Sequence, residues 1–363
     1  PLLTARAVQQ ALCALAKQLA EKLDSLRQAA GRGLLRLLGC PGLLDLLPPP
    51  QTAFLLAALA QAAGTEPGGP QEELWRQAGL LNWAQPDCVF PFVARLLRCP
   101  SAGPGGDEST DLFRAVLAGL VVSVGGLTET TARQALEALL AEVGSWGQQE
   151  EDSGLSARRL LTELVALLRA SARNDRVVVP LLKTLELLLR HGTWDALRRD
   201  EVGGELLAAL QSEVRGCRAV PKLLLLADLQ ALLLGFHCRP AAFVGLLRLL
   251  AHKYPRVRKY TAEVLYVQLL ADPHAVSSSS SSEMPLLPRA ENPDEALQLL
   301  SETSWDDTDP ASGLQRTEAY RTLCSLAGEE AMTDTADLSQ GPNARTERDK
   351  WDSYGSLVRD AGY

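Results

Sequence analysis

Pro240 to Leu270 reads PAAFVGLLRLLAHKYPRVRKYTAEVLYVQLL, and this stretch decides the fold. Phe243, Leu246, Leu247 and Leu250 recur at helical spacing and give a first helix one apolar face. Tyr254-Pro255 interrupts it, because the residue before a proline is pushed out of the α region. Pro255 suits the first turn of the next helix, where a missing N–H costs nothing. Val257, Thr261, Val264 and Leu265 then form a second apolar stripe. Neither helix can bury its face alone, so each must pack on its partner and on neighbouring pairs.

Pro255-Arg256-Val257-Arg258, with Ala262 and Leu265, resembles the second helix of a HEAT repeat. Asp24-Ser25-Leu26-Arg27-Gln28-Ala29-Ala30 repeats the phrase, and Asp175-Arg176-Val177-Val178-Val179-Pro180-Leu181-Leu182 is a third version. Leu167-Leu168-Arg169 returns 79 residues later as Leu246-Leu247-Arg248, two periods of about 40. Val179-Pro180 returns after 41 as Val220-Pro221. The expectation is an all-α, HEAT/armadillo-like α-solenoid of antiparallel helix pairs.

Composition agrees. Hydrophobic residues make up 46% of the 363 but aromatics only 5%, so the core is Leu, Ala and Val, the material of packed helices rather than of a sandwich. A net charge of −8 without a Lys/Arg cluster argues against a nucleic-acid surface. No apolar run is long enough to span a membrane, and no signal peptide is visible. Seven scattered cysteines without CxxC pairs read as reduced cytosolic thiols. Pro1 opens directly into a helical pattern, which reads as the start of a C-terminal portion of something longer.

Along the chain, residues 1–100 hold the first repeats. Thr4 to Leu23 is one helix, and its partner, capped at Asp24, runs to Gly39. Pro41 to Pro50 is a break, Ala53 to Ala63 a short helix, Gly64 to Pro70 a loop, and Phe92 to Leu97 another short helix. A Gly/Pro loop occupies 101–109. Repeats fill 110–273: Asp111–Val124 stopped by Gly125-Gly126, a helix capped by Thr128, then Ala157–Ala170 with Arg176–Arg190 and Glu205–Arg215 with Val220–Leu234. Residues 274–292, with six serines at 277–282, read as a linker. Helices from Pro293 to Trp305 and Ser312 to Leu326 fill 293–328, and 329–363 is expected to be a disordered tail.

Asn174–His191, NDRVVVPLLKTLELLLRH, and Gly119–Thr131, GLVVSVGGLTETT, resemble the C-terminal region of the tubulin-folding cofactor D family. Asn82-Trp83 with Pro86 and Phe90-Pro91, Tyr254–Thr261, Leu300–Asp306, and Arg321, Leu323, Cys324 and Leu326 are similar to further family elements. The matches run in order from about residue 5 to 328. This resemblance implies a solenoid that captures β-tubulin and helps join it to α-tubulin. It also implies partnership with cofactors E and C and an Arf-like small GTPase, and stimulation of GTP hydrolysis by tubulin. A cytoplasmic, cytoskeleton-associated location follows, with the centrosome included. The serine run, the Gly/Pro loop and the tail depart from the family's pattern.

No catalytic motif accompanies these features. Gly103-Pro104-Gly105-Gly106 and Gly125-Gly126 lack the Lys-Ser/Thr of a phosphate loop, and neither GxSxG nor HExxH occurs. Cys217, His237 and Cys238 fit no zinc spacing. Neither metal nor cofactor is expected, and the chain is read as a binding protein rather than an enzyme. A regulator acting on a GTPase and a generic HEAT adaptor are the alternatives. Arg27 and Arg258 hold matching places, serving either contacts between repeats or a ladder for partners. Arg256, Arg258, Lys259, Trp194 and Trp305 are the candidate partner-binding residues, although both tryptophans sit at helix ends where packing alone accounts for them.

Overall fold

The computed structural model describes residues 4–100, 111–126, 128–146, 157–272 and 285–329. The Gly/Pro loop at 101–109, the serine run and the tail from 330 onward lie outside them. The fold is all-α, a HEAT/armadillo-like helical repeat, and no strand occurs among the described residues. The chain forms two compact units, Pro1–Leu197 and Arg198–Tyr363, a division that falls inside the expected block 110–273.

The first unit contains α1 (Ala5–Leu19), α2 (Asp24–Leu38), α3 (Pro41–Leu44), α4 (Pro49–Ala62), α5 (Gln71–Ala78), α6 (Pro86–Arg95), α7 (Leu112–Val124), α8 (Glu129–Gly144), α9 (Ala157–Ala170) and α10 (Asp175–Arg190). Thr4 caps α1, its Oγ1 accepting from the Ala7 N–H at 3.2 Å, and α1 ends at Leu19, short of Leu23. Asp24 is not the cap of α2: it occupies the first helical position, where its carboxylate pairs with Arg27 instead. Thr128 makes no side-chain cap bond either. The break at 41–50 contains α3 and the start of α4. The sequence reading missed α5 because this short helix buries only Ala78 and so carries no stripe.

Three helices distant in sequence pack side by side: α1 on α7, and α7 on α10. Small side chains set their spacing. A Cβ on Gly119 of α7 would stand 2.6 Å from the Lys17 carbonyl oxygen of α1, so only glycine permits this approach. Ser123 of α7 donates its hydroxyl hydrogen to the Ala20 carbonyl. On the other side, a Cβ on Gly125 would overlap the Pro180 backbone of α10. Thr184 of α10 closes the row, its Oγ1 lying 2.9 Å from the Pro180 oxygen and 3.3 Å from that of Val121. Buried polar groups need such partners, and these hydroxyls use backbone oxygens.

A second line of packing joins α6 to α8. Arg98, just past α6, pairs with the buried Glu142 of α8, which also accepts from Trp146 Nε1 at 3.2 Å.

The second unit contains α11 (Val202–Val214), α12 (Val220–Leu232), α13 (Arg239–Leu250), α14 (Pro255–Ala271), α15 (Asp294–Glu302) and α16 (Pro310–Leu326). Leu246, Leu250, Val257, Ala262 and Leu265 are buried, as the α13–α14 stripes require. The pair packs on α12, where Tyr260 donates to the Asp228 carboxylate at 2.7 Å. Lys222 and Glu213 form a buried ion pair of 2.7 Å between α12 and α11. Part of the expected linker is packed: Leu286 and Leu287 are buried, and the Arg289 N–H donates to the Leu326 carbonyl at 3.1 Å. α15 stops at Glu302, not Trp305, because an extended Thr303 leads the chain away.

Gly125→Ala should cost about 1–3 kcal/mol, since the methyl has only the Pro180 backbone to displace. Gly204→Ala in α11, whose methyl would meet nothing within 4 Å, should be neutral or stabilising by up to about 1 kcal/mol. Urea unfolding of the two variants checks the contrast.

Candidate functional site

The five candidate surface residues divide by burial. Arg258 is 5% exposed, Trp305 3% and Trp194 1%, so all three side chains are buried within the chain. Arg256 and Lys259 stay on the surface. The physical reason is position. Arg258 falls on the inward side of α14 with Val257 and Thr261, whereas Arg256 and Lys259 point outward.

The Arg258 guanidinium is committed to main-chain oxygens. Nη1 donates to the carbonyls of His252 and Lys253 in the α13–α14 turn, both at 3.0 Å. Nε donates to Trp305 at 2.8 Å and Nη2 to Asp307 at 3.1 Å. Burial pulls its pKa down to about 10, with the like charge of Arg316 adding to the effect and Asp306 opposing it. Trp305 fills the space beside it, its indole N–H donating to the Leu300 carbonyl at 3.0 Å.

Arg27 repeats this arrangement in the first unit and is fully buried. It is the fourth residue of α2, as Arg258 is of α14. Nη1 reaches the carbonyls of Glu21 and Lys22, six and five residues back, at 2.8 and 3.0 Å, as Arg258 reaches those six and five back. Nη2 binds the Ala84 carbonyl, immediately after the buried Trp83, and the Asp24 carboxylate. Of the two readings of these arginines, the contact between elements is the one observed. The third version of the phrase differs: Arg176 is the second residue of α10 and exposed, while Val178 takes the buried fourth position.

Trp194 is also internal. Its indole N–H donates to the Ala157 carbonyl at 3.0 Å, fastening the end of α10 to the start of α9. Trp83, part of the family-like Asn82–Pro91 stretch, packs edge-on to Phe92 with ring centroids 5.3 Å apart. It fills the space over Gly31, where a Cβ would collide with the indole.

What remains outside is a basic turn. Lys253, Arg256 and Lys259 are exposed around the start of α14. Lys259 donates to Asp306 at 2.8 Å, which raises the lysine's pKa and lowers that of Asp306. Both side chains are about half exposed, so the pair is screened by solvent and holds weakly.

Among the described residues, no group of three or more His, Cys, Asp or Glu is arranged to hold a metal, and no helix is long and apolar enough to cross a membrane. Burial pushes the Cys13 and Cys99 thiols up to about 12 and Cys238 up to about 11. Such thiols are protonated at neutral pH and poor nucleophiles.

Stacked helix pairs bound by buried arginines, with charged side chains left for the surface, define a helical-repeat scaffold. The family model described as tubulin folding cofactor D C terminal matches residues 9–222, and the chain belongs to that family. No solved structure matches it. The match contains Asn82–Pro91, Gly119–Thr131 and Asn174–His191; the resemblances at Tyr254–Thr261 and Leu300–Asp306 lie beyond it.

Arg27→Met should destabilise the first unit by about 3 kcal/mol or more, because the carbonyls of Glu21, Lys22 and Ala84 lose a buried donor; urea unfolding measures the loss. In native protein at pH 8, the exposed Cys40 should react with a thiol reagent, while Cys13 and Cys99 should label only in denaturant, as read by mass spectrometry.

Proposed function

We propose that the chain acts in tubulin folding by binding β-tubulin and assisting assembly and disassembly of the α/β-tubulin heterodimer. In this reading it works with cofactors E and C and an Arf-like small GTPase in the cytoplasm, at the cytoskeleton and centrosome. Membership of the tubulin folding cofactor D C-terminal family is the observation that carries the reading. The helical scaffold is its physical support: stacked pairs offer a long surface on which a client can be held without covalent chemistry.

In this reading the chain supplies no catalytic site of its own, and its contribution to GTP hydrolysis by tubulin comes through the assembled complex. Any arginine lent to a nucleotide in trans must be free to reach it. Arg256 meets that condition, whereas Arg258 is buried in main-chain contacts.

A pull-down with the purified chain tests the reading. It should retain β-tubulin and the Arf-like GTPase, and retention of neither would return the chain to the class of generic HEAT adaptors. Labelled GTP titrated into the chain alone should show no saturable binding. Micromolar binding without tubulin would reveal a nucleotide site in the chain itself.

A further inference from the structure

Among the described residues, the second unit ends in a hairpin, α15 and α16. It lies on α14 through α15 and on α13 through α16. The pair beneath has other support, since α12 packs against both α13 and α14. Losing the hairpin would therefore leave α13 and α14 with a core of their own.

The hairpin's hold has two parts. The apolar part is Leu300, Trp305, Tyr320 and Leu323, all buried. The polar part is Arg258, whose Nε and Nη2 bind the carbonyls of Trp305 and Asp307, with the Lys259–Asp306 pair beside it. The two Arg258 Nη1 bonds stay within the turn below it, and the Nε and Nη2 bonds cross to the hairpin.

Against this hold stands Arg316 of α16. Its side chain is buried at 7% exposure, and Nη1 has no hydrogen-bond partner. It also places a second positive charge within electrostatic reach of Arg258. Opening the hairpin would hydrate Arg316 and separate the two guanidinium groups. The closed state thus carries a desolvation and like-charge penalty that opening of the hairpin relieves.

We propose that the α15–α16 hairpin is a releasable strap, closed on the α13–α14 pair by Arg258 as positioning residue and biased towards opening by Arg316. The strap leaves as one piece, and the pair beneath remains folded when it goes. Its closed state is salt-sensitive, because Asp306 of the strap faces Lys259 of α14 across the seam.

Hydrogen exchange by mass spectrometry on the full chain tests this. In the parent, amides of α15 and α16 should exchange together and at least tenfold faster than those of α12 and α14. Arg258→Lys keeps the charge but loses the fork, and should speed strap exchange at least tenfold while leaving α12 unchanged. Arg316→Leu should slow strap exchange, an opposite sign that a merely structural arginine would not give. Asp306→Lys should speed it about two- to fivefold, and adding Lys259→Glu should restore it. Exchange of the strap in step with α12 and α14, or Arg258→Lys speeding all of 202–271 alike, would overturn the proposal. So would Arg316→Leu loosening the strap.

Discussion

A tight turn between two helices leaves carbonyl oxygens that neither helix can satisfy, and packing such turns inside a repeat removes the water that would. Arg27 and Arg258 resolve this constraint. Each donates from Nη1 to two turn carbonyls and reaches across to the next element, Arg258 through Nε and Nη2 and Arg27 through Nη2. Burying a guanidinium is costly, and only a side chain with several fixed donors can recover that cost from several oxygens at once. A lysine could meet some of these oxygens but not all in one plane. The Arg27 guanidinium also lies 5.8 Å over the Phe90 ring, which adds a cation–π contact in a dry site.

The first unit rests on a second constraint, close backbone approach. At Gly119 and Gly125 the helices α1, α7 and α10 come nearer than any side chain allows, and Ser123 and Thr184 convert that nearness into hydrogen bonds. The stretches that carry the family likeness, Gly119–Thr131 and Asn174–His191, meet at this contact. Packing thus accounts for Gly119, Ser123, Gly125 and Thr184 within them. Gly125 against the Pro180 backbone requires a residue with no side chain.

For function, these constraints separate what holds the scaffold from what it can offer. Arg258, Trp194 and Trp305 belong to the scaffold. Arg256, Lys253 and the half-exposed Lys259 belong to the surface around one turn. With this division the outside is charged while the inside stays fixed.

The sequence by itself determined the all-α class, most of the helices, the α1–α2 and α13–α14 pairs, and the family. Leucine stripes at helical spacing, Pro255 opening a helix, and phrases recurring at about 40 residues are local properties of the chain, and they survive folding unchanged. It also placed Arg27 and Arg258 at equivalent points. It did not reveal α5, whose one buried residue leaves no stripe, nor that Leu286 and Leu287 would pack inside a supposed linker. Only the tertiary structure decided that α1 lies on α7, or that Arg258 reaches residues 305 and 307. Arg256 and Arg258 are chemically alike and two positions apart. What separates them is a rotation of about 200° around the helix axis and which neighbour waits on each side, and no local pattern encodes the neighbour.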